Sequence, residues 1–79
     1  MISIEERVRA LLISQLKIDE ERFSFDLSVG DIPEWDSAAH VNLIMAVEEA
    51  FGLELDIADT IEIEDVTDII ATLKRYEAE

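Results

Sequence analysis

Gly30-Asp31-Ile32-Pro33-Glu34-Trp35-Asp36-Ser37-Ala38-Ala39-His40-Val41 is the stretch in which a turn-forming segment gives way to a helix. Gly30 and Pro33 punctuate a loop. From Ser37 onward, Val41, Ile44, Val47 and Phe51 recur at helical spacing as a main buried face, with Leu43 flanking it. The spacing predicts a helix over Ser37–Phe51 with Asp36 as its N-cap. The Ser37 hydroxyl then stands at the positive end of a helix. A phosphodiester on that oxygen would meet free backbone N–H groups and a favourable helix dipole. The plainer reading of Ser37 is a serine that helps cap those N–H groups.

Gly52 follows that helix and suits a left-handed C-terminal cap, with Leu53 folding back on the last turn. Towards the N-terminus, Ser3 and Glu6 have the spacing of a capping box. Ile4, Val8, Leu11, Leu12 and Leu16 then form the buried stripe of a first helix, Ile4 to Leu16. Residues 17–36 read as a long loop. Its apolar residues (Ile18, Phe23, Phe25, Leu27, Val29, Ile32 and Trp35) are those of a segment packed down on the core, with Trp35, Phe23 and Phe25 as plugs at its edge. A short helix over about Ile57–Ile61 follows Asp56. A last helix starting near Glu64 or Asp65 turns Val66, Ile69, Ile70 and Leu73 inward, with Lys74 and Arg75 in its last turns. The expected fold is all-α: a small four-helix bundle with three long helices, one short helix and a long first loop. Residues 1–79 are read as one domain, since a chain of 79 residues supports a single core and little room for a catalytic cleft.

Composition narrows the function. Six Lys and Arg against twenty Asp and Glu give a net charge of −14. Such a surface repels nucleic acid and anionic lipid and is steered towards basic protein surfaces. There is no cysteine and one histidine, so neither a disulfide framework nor a thiolate or multi-histidine metal site is available. The acidic start Met1-Ile2-Ser3-Ile4-Glu5-Glu6 lacks a signal-peptide apolar core, and no apolar run approaches the ~18 residues of a membrane span. A soluble, cytoplasmic monomer is expected.

Asp36, Ser37 and His40 invite comparison with a nucleophilic hydrolase, His40 being one turn from the hydroxyl. Nucleophilic catalysis needs a base oriented by a third group and donors aimed at an oxyanion, and neither is visible in the chain. His40 reads instead as an exposed residue beside the serine. The acids at Asp56, Asp59, Glu62, Glu64, Asp65 and Asp68 lack the alternating spacing and turn glycine of a calcium loop, and read as a solvated face.

Asp36-Ser37, then Val41, Leu43, Ile44 and Val47, then Glu48-Glu49-Ala50-Phe51-Gly52-Leu53-Glu54-Leu55, then Ile63-Glu64-Asp65-Val66, form a combination that resembles the acyl carrier and peptidyl carrier protein family. The likeness runs from about Ser3 to Tyr76. It implies that a phosphopantetheinyl transferase attaches 4′-phosphopantetheine from coenzyme A to Ser37, with Asp36 serving transferase recognition as well as the cap. The arm's thiol would hold acyl or aminoacyl groups as thioesters, and the chain itself would catalyse nothing. It also implies that Ala38, Met45, Glu48, Glu49 and Asp59 face loading and processing enzymes bearing basic docking patches. Ala38 stands where Leu or Met is common in the family. Ala39, His40 and Asn42 stand where fatty-acid carriers tend to be more acidic, and Pro33-Glu34-Trp35-Asp36-Ser37 is more like stand-alone carriers of specialised pathways. The expectation is therefore a specialised carrier. The competing expectation is an unmodified acidic helical adaptor for a basic partner.

Overall fold

Ser3 caps the first helix: its Oγ accepts from the Glu6 N–H at 3.2 Å, the first half of the expected capping box. The computed structural model describes residues 2–77. Helix α1 (Ile4–Leu16) carries Val8, Leu12 and Leu16 into the core, and Ile4 and Leu11 lie half-buried beside them. It ends on Lys17 in the left-handed region (φ 56°), with the Lys17 and Ile18 N–H groups both returning to the Ile13 carbonyl. That turn swings Ile18 under the helix end, where it is buried.

The long loop contains one 3₁₀ turn, Glu20–Arg22, which helical periodicity does not reveal. It is pinned at several points. The Arg22 guanidinium grips both oxygens of Glu34, at 2.5 and 2.8 Å, and holds that carboxyl below its usual range. Val29 N–H donates to the Glu64 carbonyl and Val66 N–H to the Leu27 carbonyl, a two-bond bridge that seats the loop against the start of the last helix. Leu27 and Trp35 are buried, Trp35 completely. Phe23 is half-buried, but Phe25 is 42% exposed, stacking edge-on to Phe23 with ring centroids 5.1 Å apart. Trp35 is thus a plug; Phe25 is not.

Helix α2 (Ser37–Phe51) is capped by Asp36, whose Oδ1 accepts from the Ala39 N–H at 2.8 Å. It closes on Gly52 at φ 63°, with Leu53 N–H reaching back to the Glu48 carbonyl at 3.0 Å. The buried face is Leu43, Ile44 and Val47, with Phe51 half-buried. Val41, expected on that face, is 59% exposed. Six residues at about 100° each bring Val41 roughly 120° round from Val47, beyond the arc that the bundle covers. Leu43, expected at the flank, is fully buried.

Helix α3 (Ile57–Glu62) has no buried residue. Helix α4 (Val66–Glu77) is capped by Asp65, whose Oδ1 accepts from the Asp68 N–H at 2.7 Å, while Asp68 Oδ2 accepts from the Glu64 N–H at 3.1 Å. Two of the acids expected on a solvated face are therefore helix-terminating groups. Val66, Ile69, Leu73 and Thr72 point inward, and Ile70 is half-buried. Helix α1 packs against both α2 and α4. Each large side chain fully buried there contributes about 1.5–3 kcal/mol, and this burial supplies most of the helices' stability. At the far end of α2, Arg7 donates to the Ala50 carbonyl at 3.0 Å and lies 4.0 Å over the Phe51 ring. These elements form a four-helix bundle with three long helices and no strand among the described residues.

Candidate functional site

Ser37 occupies the first helical position of α2, one residue after the cap, and its side chain is exposed. The Asp36 carboxylate already accepts the N–H that a capping serine would take. The local folding of the chain thus leaves the Ser37 hydroxyl without a capping duty. It projects from the end of a helix whose first turn has no acidic residue.

His40 is not the exposed neighbour that the sequence suggested. It is half-buried, and both ring nitrogens are engaged: Nδ1 accepts from Trp35 Nε1 at 3.0 Å, and Nε2 lies 3.0 Å from the Ile63 carbonyl. Neither is free to take a proton from Ser37. The geometry therefore argues against a serine nucleophile activated by this histidine.

Next to Ser37 an apolar strip crosses two elements. Ala38, Val41 and Met45 follow one another along the exposed side of α2, and Ile57 and Ile61 face outward on α3 at 76% and 73% exposure. Between the two helices lies an open cleft of about 330 Å³, walled by Val41, Ile44, Met45, Leu55, Ile57 and Ile61. Sequence periodicity hid Val41 in the core and gave no sign that α3 would keep its isoleucines outside. The one available signal was length, because a helix of six residues cannot bury both faces.

The acids beside this strip differ in their commitments. Glu49 is exposed. Glu48 is half-buried, and its Oε2 accepts from the Leu55 N–H at 2.9 Å, tying the segment after α2 back onto the helix. Asp59 has both oxygens occupied: Oδ1 by Arg75 at 2.5 Å and Oδ2 by the Tyr76 hydroxyl at 2.6 Å. The hydrogen bond from Tyr76, aided by Arg75, holds the Asp59 carboxyl below the usual carboxylate range. All six basic residues belong to other elements, α1 (Arg7, Arg9), its cap (Lys17), the 3₁₀ turn (Arg22) and α4 (Lys74, Arg75); α2 and α3 carry none of their own, although Arg75 reaches across to Asp59. No helix among the described residues is long and apolar enough to cross a membrane.

No protein-family model matches the chain. Whole-length similarity to curated proteins is nevertheless present. Over 78 residues the chain is 32% identical to an acyl carrier protein of Solidesulfovibrio magneticus, which covers 99% of this chain and 100% of that protein. Over 75 residues it is 29% identical to an acyl carrier protein of Akkermansia muciniphila, covering 95% of this chain and 94% of that one. The alignments span every helix of an acidic bundle whose second long helix opens on an exposed serine. The chain belongs to the acyl carrier protein family.

Proposed function

We propose that this protein carries acyl groups on a 4′-phosphopantetheine arm attached to Ser37. The observation that supports the assignment most directly is the setting of Ser37, exposed at the start of α2 and relieved of capping by Asp36. The site fits the group: a phosphodiester there would lie against the unpaired N–H groups and positive dipole end of a fifteen-residue helix. The arm would supply the thiol that this cysteine-free chain lacks, to hold acyl or aminoacyl cargo as a thioester. The chain's own residues hold and present. Asp36 fixes the first turn, and the apolar strip of Ala38, Val41 and Met45 offers partners a contact surface beside the attachment point. The acids on α2 and α3 would draw enzymes with basic docking patches, a phosphopantetheinyl transferase first among them.

The reading includes a cytoplasmic monomer serving a specialised pathway, because Ala38, Ala39, His40 and Asn42 leave the first turns of α2 without the carboxylates favoured in fatty-acid carriers. The test is intact-protein mass spectrometry after incubation with coenzyme A and a broad-specificity transferase. The expected result is one added arm on the wild type and none on Ser37→Ala. An unmodifiable wild type, or a modified Ser37→Ala, would overturn the reading and leave the adaptor in its place.

A further inference from the structure

We propose that Trp35 and His40 form a hydrogen-bonded staple that positions Ser37 for modification, so that His40 is a positioning residue rather than a bystander. The inference rests on the carrier reading for its use, though not for its geometry. With Asp36 as the cap, Trp35 is the residue before it and His40 the fourth residue of the helix. In many helices these two positions meet in an apolar contact that sets the angle at which the chain enters. Here the contact is a 3.0 Å hydrogen bond from Trp35 Nε1 to His40 Nδ1, with the rings 5.8 Å apart and tilted by 34°. A hydrogen bond is directional, so it fixes rotation about the entering strand as well as the entry angle.

The partners define the proton positions. An indole N–H only donates and a carbonyl only accepts. His40 is therefore neutral in this network, with its proton on Nε2 pointing at the Ile63 carbonyl. Trp35 is held from every side: its indole is fully buried, its backbone N–H donates to the Ile32 carbonyl at 3.1 Å, and its backbone carbonyl accepts from the Gly30 N–H at 2.8 Å. Only Asp36 separates this fixed residue from Ser37, and Asp36 is itself bound to Ala39. Through Ile63, the C-cap of α3, the same imidazole ties the serine's platform to the connection between α3 and α4.

Steady-state kinetics of Ser37 modification by a transferase, with coenzyme A as donor, test the staple in Trp35→Phe, His40→Gln and the double variant. Trp35→Phe keeps an aromatic plug and deletes the N–H. His40→Gln can still donate to Ile63, but its amide oxygen sits one bond further from the backbone than Nδ1, so it no longer presents an acceptor at the position that Trp35 needs. Each single change is expected to lower kcat about three- to tenfold, the worth of one orienting hydrogen bond, with KM held within about twofold. The double variant should be no slower than the slower single, as for two residues sharing one bond. Wild-type kcat in both singles, a loss confined to KM, or losses that multiply would overturn the proposal. Trp35 is the chain's only tryptophan, so the emission maximum of His40→Gln reads the same bond without any transferase. A shifted maximum is expected and an unchanged one overturns the staple. A wild type that is never modified would defeat the carrier reading while the emission result still judges the staple.

Discussion

The Tyr76 hydroxyl donates to Asp59 Oδ2 at 2.6 Å and accepts from the Asp56 N–H at 2.9 Å, so one phenol fastens the end of α4 to the start of α3. Because α3 buries no residue of its own, this clasp and the His40–Ile63 bond at its other end take the place of a packed face.

The clasp has a pH signature. Asp59 is lowered and Tyr76 raised, each chiefly by their shared hydrogen bond. The Asp59 contribution is complete above the ordinary Asp value, about 3.9, and is lost as pH falls through the lowered folded value. The Tyr76 contribution is complete below about 10 and is lost as pH rises through its raised folded value. Thermal melts of wild type and Tyr76→Phe should differ most between these limits and converge outside them. A gap that stays constant from pH 2 to 11 would contradict this account.

The corrected face of α2 makes a second prediction. Leu43→Ala should cost about 2–5 kcal/mol in urea unfolding, because it empties a fully buried site. Val41→Ser should stay within about 0.5 kcal/mol, because Val41 meets solvent. Equal losses at the two positions would restore Val41 to the core.

Salt should stabilise the fold. A net charge of −14 on 79 residues repels itself, and counterions screen that repulsion. Melting temperatures should rise between about 10 and 150 mM salt, over which the screening length falls from roughly 30 to 8 Å. A flat or falling midpoint would show that the four ion pairs among the described residues outweigh the repulsion.

Restoring carboxylates beside Ser37 should move the chain towards fatty-acid enzymes. Ala38 and Asn42 are the suitable positions because both are exposed, whereas Ala39 packs against the core. In a reconstituted bacterial fatty-acid synthase with this protein as sole carrier, elongation should be slow. It should improve in Ala38→Glu/Asn42→Asp in a graded way, each exposed ion pair being worth about 0.2–1 kcal/mol. Housekeeping rates from the wild type would remove the case for a specialised pathway.

The helices were legible wherever their information is local. Ser3, Asp36 and Gly52 mark ends that side chains or backbone geometry within three or four residues define, and the bounds of α1 and α2 follow directly. Helix α4 begins at Val66, after its expected start, because Asp65 is spent as the cap. Legibility fails where the partner is distant in sequence. Nothing near His40 announces the carbonyl of Ile63, although its spacing from Trp35 is that of a staple. Nothing near Asp59 announces Tyr76. Val41 was misplaced because periodicity gives an angle around α2 but not how far round the neighbouring helices reach. The setting of Ser37 was readable because loop, cap and helix start all lie within a few residues.

The separation of charge between helices has one last effect. Helices α2 and α3 carry Glu48, Glu49, Asp59 and Glu62 and no lysine or arginine of their own, with Arg75 of α4 reaching across to Asp59. A cationic enzyme surface would attract this side of the molecule more strongly and so exert a torque before the two touch. Such a rotation would bring α2 and α3 to the leading edge, and with them Ser37. Orientation would then be biased during approach, and the search that remains at contact would cover a smaller range of angles.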